Sequence, residues 1–410
     1  MHDQSASWIF TGTHPMSLLD APPAPHYFTP EHEQFRASLR AWVAAEITPH
    51  VNEWDEAETF PRDLYRKASA IGLLGLGYPE EFGGTSVDLF YHLIMSEELA
   101  RPGCGGVSAS LMSHTIGLPP VKAYGSAALK SRVIPPVLAG EKIAALAVTE
   151  PTGGSDVAAL KTTAIRGTDS AGDHYIVNGE KVFITSGMRA DFITVAVRTD
   201  PANKGAGGIS ALLVEGDTPG LTRTPLAKMG WWASDTAHLR FENCRVPAAN
   251  LIGEENKGFK TFMTNFNAER LGMAAQAVGY AQTCFDEALD WARQRQTFGV
   301  PLSERQVIRH KLMDMLRLID VARCHIYDLA WTQQHNAGDA NLRVARIAMA
   351  KVQATQCMQF CADAAVQILG GMGFMRGTRS ERIYREVKVM MIGGGSEEIM
   401  KDLASRQLGI

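Results

Sequence analysis

After Gly253 the chain offers three long stretches with no proline and with apolar residues at helical spacing. The first, GFKTFMTNFNAERLGMAAQAVGYAQTCFDEALDWARQ, covers Gly258 to Gln294; the others run from Glu304 to Gln334 and from Asn341 to Leu369. A helix of thirty residues is about 45 Å long, so three in succession with short connections can bury their stripes only side by side. This region, residues 253–410, is therefore expected to be an antiparallel helical bundle of four-helix type.

Two further regions precede it. From Thr29 to about Ala139 the pattern is also helical: FTPEHEQFRASLRAWVAAEI has Thr29 as an N-cap, Pro30 at the first helical position, and Phe35, Leu39, Trp42 and Val43 on one face. Between about Ile143 and Val246 the period becomes two. YIVNGEKVFIT reads as two extended runs joined by a hairpin turn at Asn178-Gly179. The expected fold is α+β: an extension over 1–27, an α-helical domain over 28–142, a β-sheet domain of barrel or sandwich type over 143–252, and the helical bundle.

The charge balance narrows the partners. With a formal net charge of −4 and 20% charged residues, nothing favours nucleic acid or an anionic membrane surface. No stretch reaches the roughly 18 apolar residues of a transmembrane helix. The N-terminus carries no charged n-region with an apolar run and no arginine before Arg36, which fits neither a secretory signal nor a transit peptide. Six scattered cysteines without a CxxC read as free thiols, Cys357 and Cys361 as core packing. A cytoplasmic enzyme of bacterial type is expected.

Several familiar patterns fail on inspection. HEQFR at His32 lacks the second ligand of a zinc HExxH, so no metal is expected there or elsewhere. GEENKGFKT carries one residue too many for a phosphate loop, and GGMGFMRG follows a helical run rather than a strand. LAVTEPTGGSD, WWASDTAHLRFENCRVP and QILGGMGFMRG are hydroxyl- and glycine-rich turns beside apolar segments. Such turns suit a flat polar ligand; equally, they suit tight connections between domains.

Taken in order, PEEFGG (Pro79 to Gly84), VTEPTGGSD, NGEKVFITSG, ASDTAHLRFENCRVP, RQTFG (Arg295 to Gly299), QILGGMGF, ERIYREVKV and GGGSEEIM resemble the acyl-CoA dehydrogenase family from about Phe28 to Ile410. The resemblance implies a homotetramer, a dimer of dimers, with one FAD per subunit. It places Leu146, Val148, Thr149, Phe183 and Thr185 around the flavin ring and Ser155 beside both the flavin and the CoA arm. It assigns Arg295, Phe298, Gln306, Gln367 and Gly371 to the FAD of the neighbouring subunit. Ser396 and Glu398 would close over FAD from the C-terminal loop.

The chemistry implied is α,β-dehydrogenation of an acyl-CoA, with electrons passed to an electron-transfer flavoprotein. It needs a carboxylate for the α-proton and a hydrogen bond to the thioester oxygen. In the medium-chain branch the loop position matching Gly394 is the glutamate. Here only a backbone N–H remains there, beside Gly395. In the long-chain and isovaleryl-CoA branches the base is the glutamate of a Glu-Arg pair on a long helix, which NFNAERLGMAA matches with Glu269 and Arg270.

Glu269 falls three residues after Phe266 and four before Met273, at the border of an apolar stripe through Phe262, Phe266 and Met273. A carboxylate there, once substrate excludes water, would have its pKa raised toward the range of a general base. Read without the resemblance, Glu269 is a solvated or arginine-paired helical glutamate. With it, Phe266, Asn267 and Arg270 become the CoA-side wall, Asn267 departing from the family's usual aspartate. A glycine in the loop leaves volume for long or branched acyl chains. Two rival functions remain: a flavin oxidase or monooxygenase on the same fold, and a non-catalytic acyl-CoA-binding homologue.

Overall fold

The computed structural model describes residues 26–170, 172–203, 205–263 and 266–410. The expected extension, residues 1–27, lies outside the described residues up to residue 25. The N-terminal helices include α1 (Pro30–Glu46), α2 (Val51–Glu56), α3 (Leu89–Ala100), α4 (Gly105–Leu111) and α5 (Ala127–Leu138). Thr29 caps α1 as its sequence predicts, accepting from the His32 N–H, while His32 Nδ1 answers to the Thr29 N–H at 3.0 Å. The other ring nitrogen of His32 meets Asp88 at 3.0 Å, so this buried histidine closes a helix start against the start of α3.

Strands β1 (Ala144–Ala147), β2 (Thr163–Asp169), β3 (Gly172–Thr185), β4 (Phe192–Arg198), β5 (Ile209–Glu215), β6 (Leu221–Pro225), β7 (Thr236–Pro247) and β8 (Leu251–Ile252) form one sheet. Its order is β6-β7-β3-β2-β4-β5-β8, with β1 parallel to β4. The expected hairpin at Asn178-Gly179 is not there. β3 runs straight through it, and the turn lies earlier, between β2 and β3.

The cause is a close approach. Gly179, at φ +143°, sits where a Cβ would lie 2.6 Å from the Cα of Thr162, and the Asn178 side chain accepts from the Asn243 N–H across the ladder at 2.7 Å. The two residues mark a bulge in the pairing with β7, not a reversal.

In the C-terminal region a short helix, Gly258–Met263, precedes α6 (Phe266–Gln294), α7 (Gln306–Gln334), α8 (Ala340–Leu369), α9 (Arg379–Ile392) and α10 (Glu397–Leu408). Alanines and cysteines of α6 and α8, among them Ala277, Ala281, Cys284, Cys357 and Cys361, build a core with α3, α7 and α9. Small side chains let these helices approach closely. Phe262, expected on the stripe of α6, belongs to the short helix and packs instead with the β-domain residues Ala211 and Ile252. All six cysteines are free, and Cys357 and Cys361 are buried as predicted.

Candidate active site

One half of the site is made where β1 runs into the VTEP turn. The Val182 N–H donates to the Thr149 carbonyl at 2.9 Å, and Lys181 Nζ donates to the Val148 carbonyl at 2.9 Å. Lys181 also meets Glu150 at 2.8 Å, and Glu150 accepts from the N–H groups of Lys161 and Thr162 at 2.6 and 2.9 Å. Burial lowers the Lys181 ammonium to about 8 against the pull of Glu150. Burial also pushes the Glu150 carboxyl up, but Lys181 and its other donors outweigh that and leave it below the ordinary range. Val148, Thr149 and Phe183 are thereby clamped together by a buried ion pair that the sequence reading missed, although both partners stand inside the matched motifs.

Phe183 is the telling residue of this half. It lies at a second irregularity of the β3–β7 pairing, between buried Lys181 and Ile184, with φ +63° and 69% of its surface exposed. A bulky side chain at positive φ is costly, and an aromatic ring left bare on a sheet face gains nothing unless something covers it. Leu146 in β1 and Thr185 in β3 are half-buried, and Ser155 is exposed in the turn.

The other half joins the start of α6 to the GGG loop between α9 and α10. Arg270 Nε donates to the Gly394 carbonyl at 3.3 Å, its guanidinium lies 5.5 Å from the Phe266 ring centroid, and a terminal nitrogen reaches Asn267 at 3.5 Å. Burial lowers the Arg270 pKa, and Glu269 next to it works the other way. Met273, one turn beyond Glu269, fills the space over the loop: a Cβ on Gly394 would lie 2.7 Å from its Sδ. Gly394 and Gly395 have φ of +67° and +109°. Arg270 thus ties the start of α6, with half-buried Phe266, Asn267 and Glu269, to the Gly394 carbonyl.

Beyond the loop, Ser396 caps α10, and Glu398 is exposed in its first turn. The helix's backbone donors and Ser396 hold the Glu398 carboxyl below its usual value. The remaining predicted residues stand apart. Arg295 and Phe298 belong to a small hairpin, Gln296–Thr297 with Val300–Pro301, at whose tip Phe298 is 98% exposed. Gln306 opens α7; Gln367 and Gly371 lie at the end of α8; all three are exposed.

Two other features were not foreseen. A cavity of about 520 Å³, lined by Arg132, Lys142, Asp191, Glu215 and Arg223 among others, includes none of the predicted site residues. Asp55, Cys104 and Glu386 are buried with ligand-type atoms within 4.8 Å of one another. Arg385 donates to Asp55 at 2.9 Å and Arg382 lies 3.5 Å from it, which makes this a charge-paired junction between α2 and α9.

Comparison with known proteins agrees with this architecture. Residues 29–141 match the model of the acyl-CoA dehydrogenase N-terminal domain, residues 145–244 that of the middle domain, and residues 256–409 that of the C-terminal domain. The probable acyl-CoA dehydrogenase YngJ of Bacillus subtilis is 37% identical over 382 residues, covering 93% of this chain and 98% of the relative. The mitochondrial long-chain specific acyl-CoA dehydrogenase of Mus musculus is 37% identical over 386 residues, 93% of this chain and 87% of its own. A solved structure, a probable acyl-CoA dehydrogenase from Mycobacterium abscessus, superposes with a TM-score of 0.89 at 45% identity, covering 93% and 100% of the two chains.

A helical domain, a sheet and a helical bundle in this order, each matching its acyl-CoA dehydrogenase domain model, define an oxidoreductase for acyl thioesters. The chain belongs to the acyl-CoA dehydrogenase family. The cofactor of this family is FAD, and the residues present fit it. Phe183 offers an uncovered side chain, and the Val148 and Thr149 carbonyls are held by Lys181 and Val182, the residues just before it in β3.

Proposed function

We propose that this chain removes the α-proton of an acyl-CoA with Glu269 and that Phe183, Val148, Thr149 and Thr185 would hold FAD, which would supply the acceptor for the β-hydride, giving a trans-2-enoyl-CoA. The observation that carries this reading is the contact between Met273 and Gly394. A side chain at Gly394 would meet an unfavourable positive φ and the Met273 sulfur, which would have to move aside, and the helix face that carries Met273 bears Glu269 one turn earlier. The proton acceptor and the loop N–H groups then address the same thioester: Glu269 takes the α-proton, and the Gly394 N–H holds the oxygen on which negative charge develops. Arg270 fixes the loop from the same helix. Ser155 and Asn267 face the CoA arm in this reading, and Ser396 and Glu398 close over the cofactor.

Long or branched acyl chains are the proposed substrates, because a side-chain-free loop leaves space near the α- and β-carbons; the likeness to a long-chain dehydrogenase supports this. The proposal extends to a homotetramer that hands its electrons to an electron-transfer flavoprotein in cytoplasmic fatty-acid β-oxidation. Glu269→Gln is the decisive variant. It should keep its FAD and its fold but lose flavin reduction by acyl-CoA by about 10³-fold or more; reduction at the normal rate removes Glu269 from the mechanism. Steady-state kinetics on straight and branched acyl-CoAs check the substrate class, and turnover confined to butyryl-CoA would count against it.

A further inference from the structure

Lys351 is buried completely within α8, in a run of alanine, valine and cysteine, where a lysine is costly to keep. Its ammonium donates to the Met391 carbonyl at 3.0 Å and to the Gly395 carbonyl at 2.8 Å. Met391 is in the last turn of α9, whose carbonyls have no partner within the helix and form the negative end of its dipole. Gly395 immediately precedes Ser396, the cap of α10. One cation therefore pins both feet of an arch made of Ile392, Gly393 and Gly394. Arg270, from α6, holds the Gly394 carbonyl at 3.3 Å.

Glycine-rich backbone has no side chain to define its course, so an arch of this kind takes its shape from whatever grips its carbonyls. We propose that Lys351 is a positioning residue for catalysis, holding the Gly393–Gly395 arch so that its N–H groups meet the thioester oxygen. This rests on the reading of the loop given above. Neither the loop motif nor the Glu-Arg pair contains Lys351, which reaches the site from a third helix. Without this grip the loop N–H groups would wander by fractions of an ångström, and a preorganised donor loses much of its effect when it must be ordered during the reaction.

The test uses an acyl-CoA analogue with sulfur at the β-position, which has no hydride to give. In heavy water the carboxylate removes its α-proton, the electron pair moves onto the thioester oxygen, and solvent deuterium returns to the carbon, with no oxidation. The holoenzyme, Lys351→Met and Lys351→Arg are compared for α-deuterium incorporation, FAD content, and amide hydrogen exchange over residues 391–396. Lys351→Met should incorporate deuterium about 10²-fold more slowly, with faster amide exchange in the arch and unchanged FAD content; Lys351→Arg should recover part of the rate.

Deuterium incorporation at the normal rate in Lys351→Met overturns the proposal. So does a loss that tracks FAD content, which would mark a merely structural lysine. If Lys351→Met does not fold, Lys351→Gln, whose amide reaches one of the two carbonyls, is judged by the same readings. Glu269→Gln should abolish incorporation. If it does not, the assignment of the base fails while the amide-exchange comparison still decides the role of Lys351.

Discussion

Gly394 concentrates two constraints in one residue. Its φ of +67° belongs to the left-handed region, where an L side chain costs about 1–2 kcal/mol, and its missing Cβ leaves room for Met273. Gly394→Ala should therefore destabilise the protein by roughly that amount, measured as a lowered midpoint in denaturant. Moving the carboxylate back to the loop meets the same obstacle. In a Glu269→Gln background, Gly394→Glu should restore less turnover than the same change combined with Met273→Ala. Equal turnover in both would show that Met273 does not govern the space over the loop. The proposed exchange of a loop glutamate for a helix glutamate could be drawn from the sequence because each position lies in a short motif. Lys351 could not, since its two partners lie 40 and 44 residues away along the chain and nothing local announces them.

Elements follow the sequence where one local signal decides and depart from it where two compete. The cap of α1 is such a single signal; Asn178-Gly179 has a good turn sequence, but the closeness of Thr162 and the pairing with β7 convert it into a bulge. Helix α9 shows a cost hidden from any sequence window. Glu386 on its buried face accepts from the Gly105 N–H at 2.8 Å, and burial, reinforced by Asp55, pushes its carboxyl up to about 8 against the pull of that N–H, Arg382 and Arg385. The folded protein thus binds this proton more tightly than the unfolded chain, whose carboxyl titrates near 4.5. Stability from this group is full below that value, falls as pH rises through the interval, and is lost above about 8. Glu386→Gln, neutral throughout, should lack the term. Its stability relative to the parent should rise between pH 5 and 8, by at most about 1.4 kcal/mol per pH unit. Urea midpoints of the two proteins at both pH values check this, and a constant difference would place the proton elsewhere.

At the scale of the molecule, the order helical, sheet, helical was readable because periodicity is a property of every window. The surface proposed to complete the FAD site of a neighbouring copy was named only by resemblance, because no periodicity or local pattern marks residues that would act on another chain. Phe298 stands 98% exposed on its hairpin, with the Arg305 guanidinium 5.7 Å from its ring, and Phe374 is 88% exposed just beyond α8. Such rings on a single chain mark surfaces made to be covered. If a second copy covers them, as the proposed tetramer requires, assembly and cofactor retention are one equilibrium: Arg295 and Phe298 of each copy would complete the FAD site of its neighbour. Burying one phenylalanine side chain is worth about 1.5–3 kcal/mol, and symmetry repeats the contact in every copy. Phe298→Asp should therefore lower both the assembled mass in sedimentation and the FAD retained after gel filtration, and added FAD should shift mass back toward the assembly. Arg295→Ala should weaken FAD retention with a smaller effect on mass, since a rim charge contributes less to association than a buried ring. Unchanged mass and unchanged FAD in Phe298→Asp would mean that this hairpin is not part of the cofactor site of any copy.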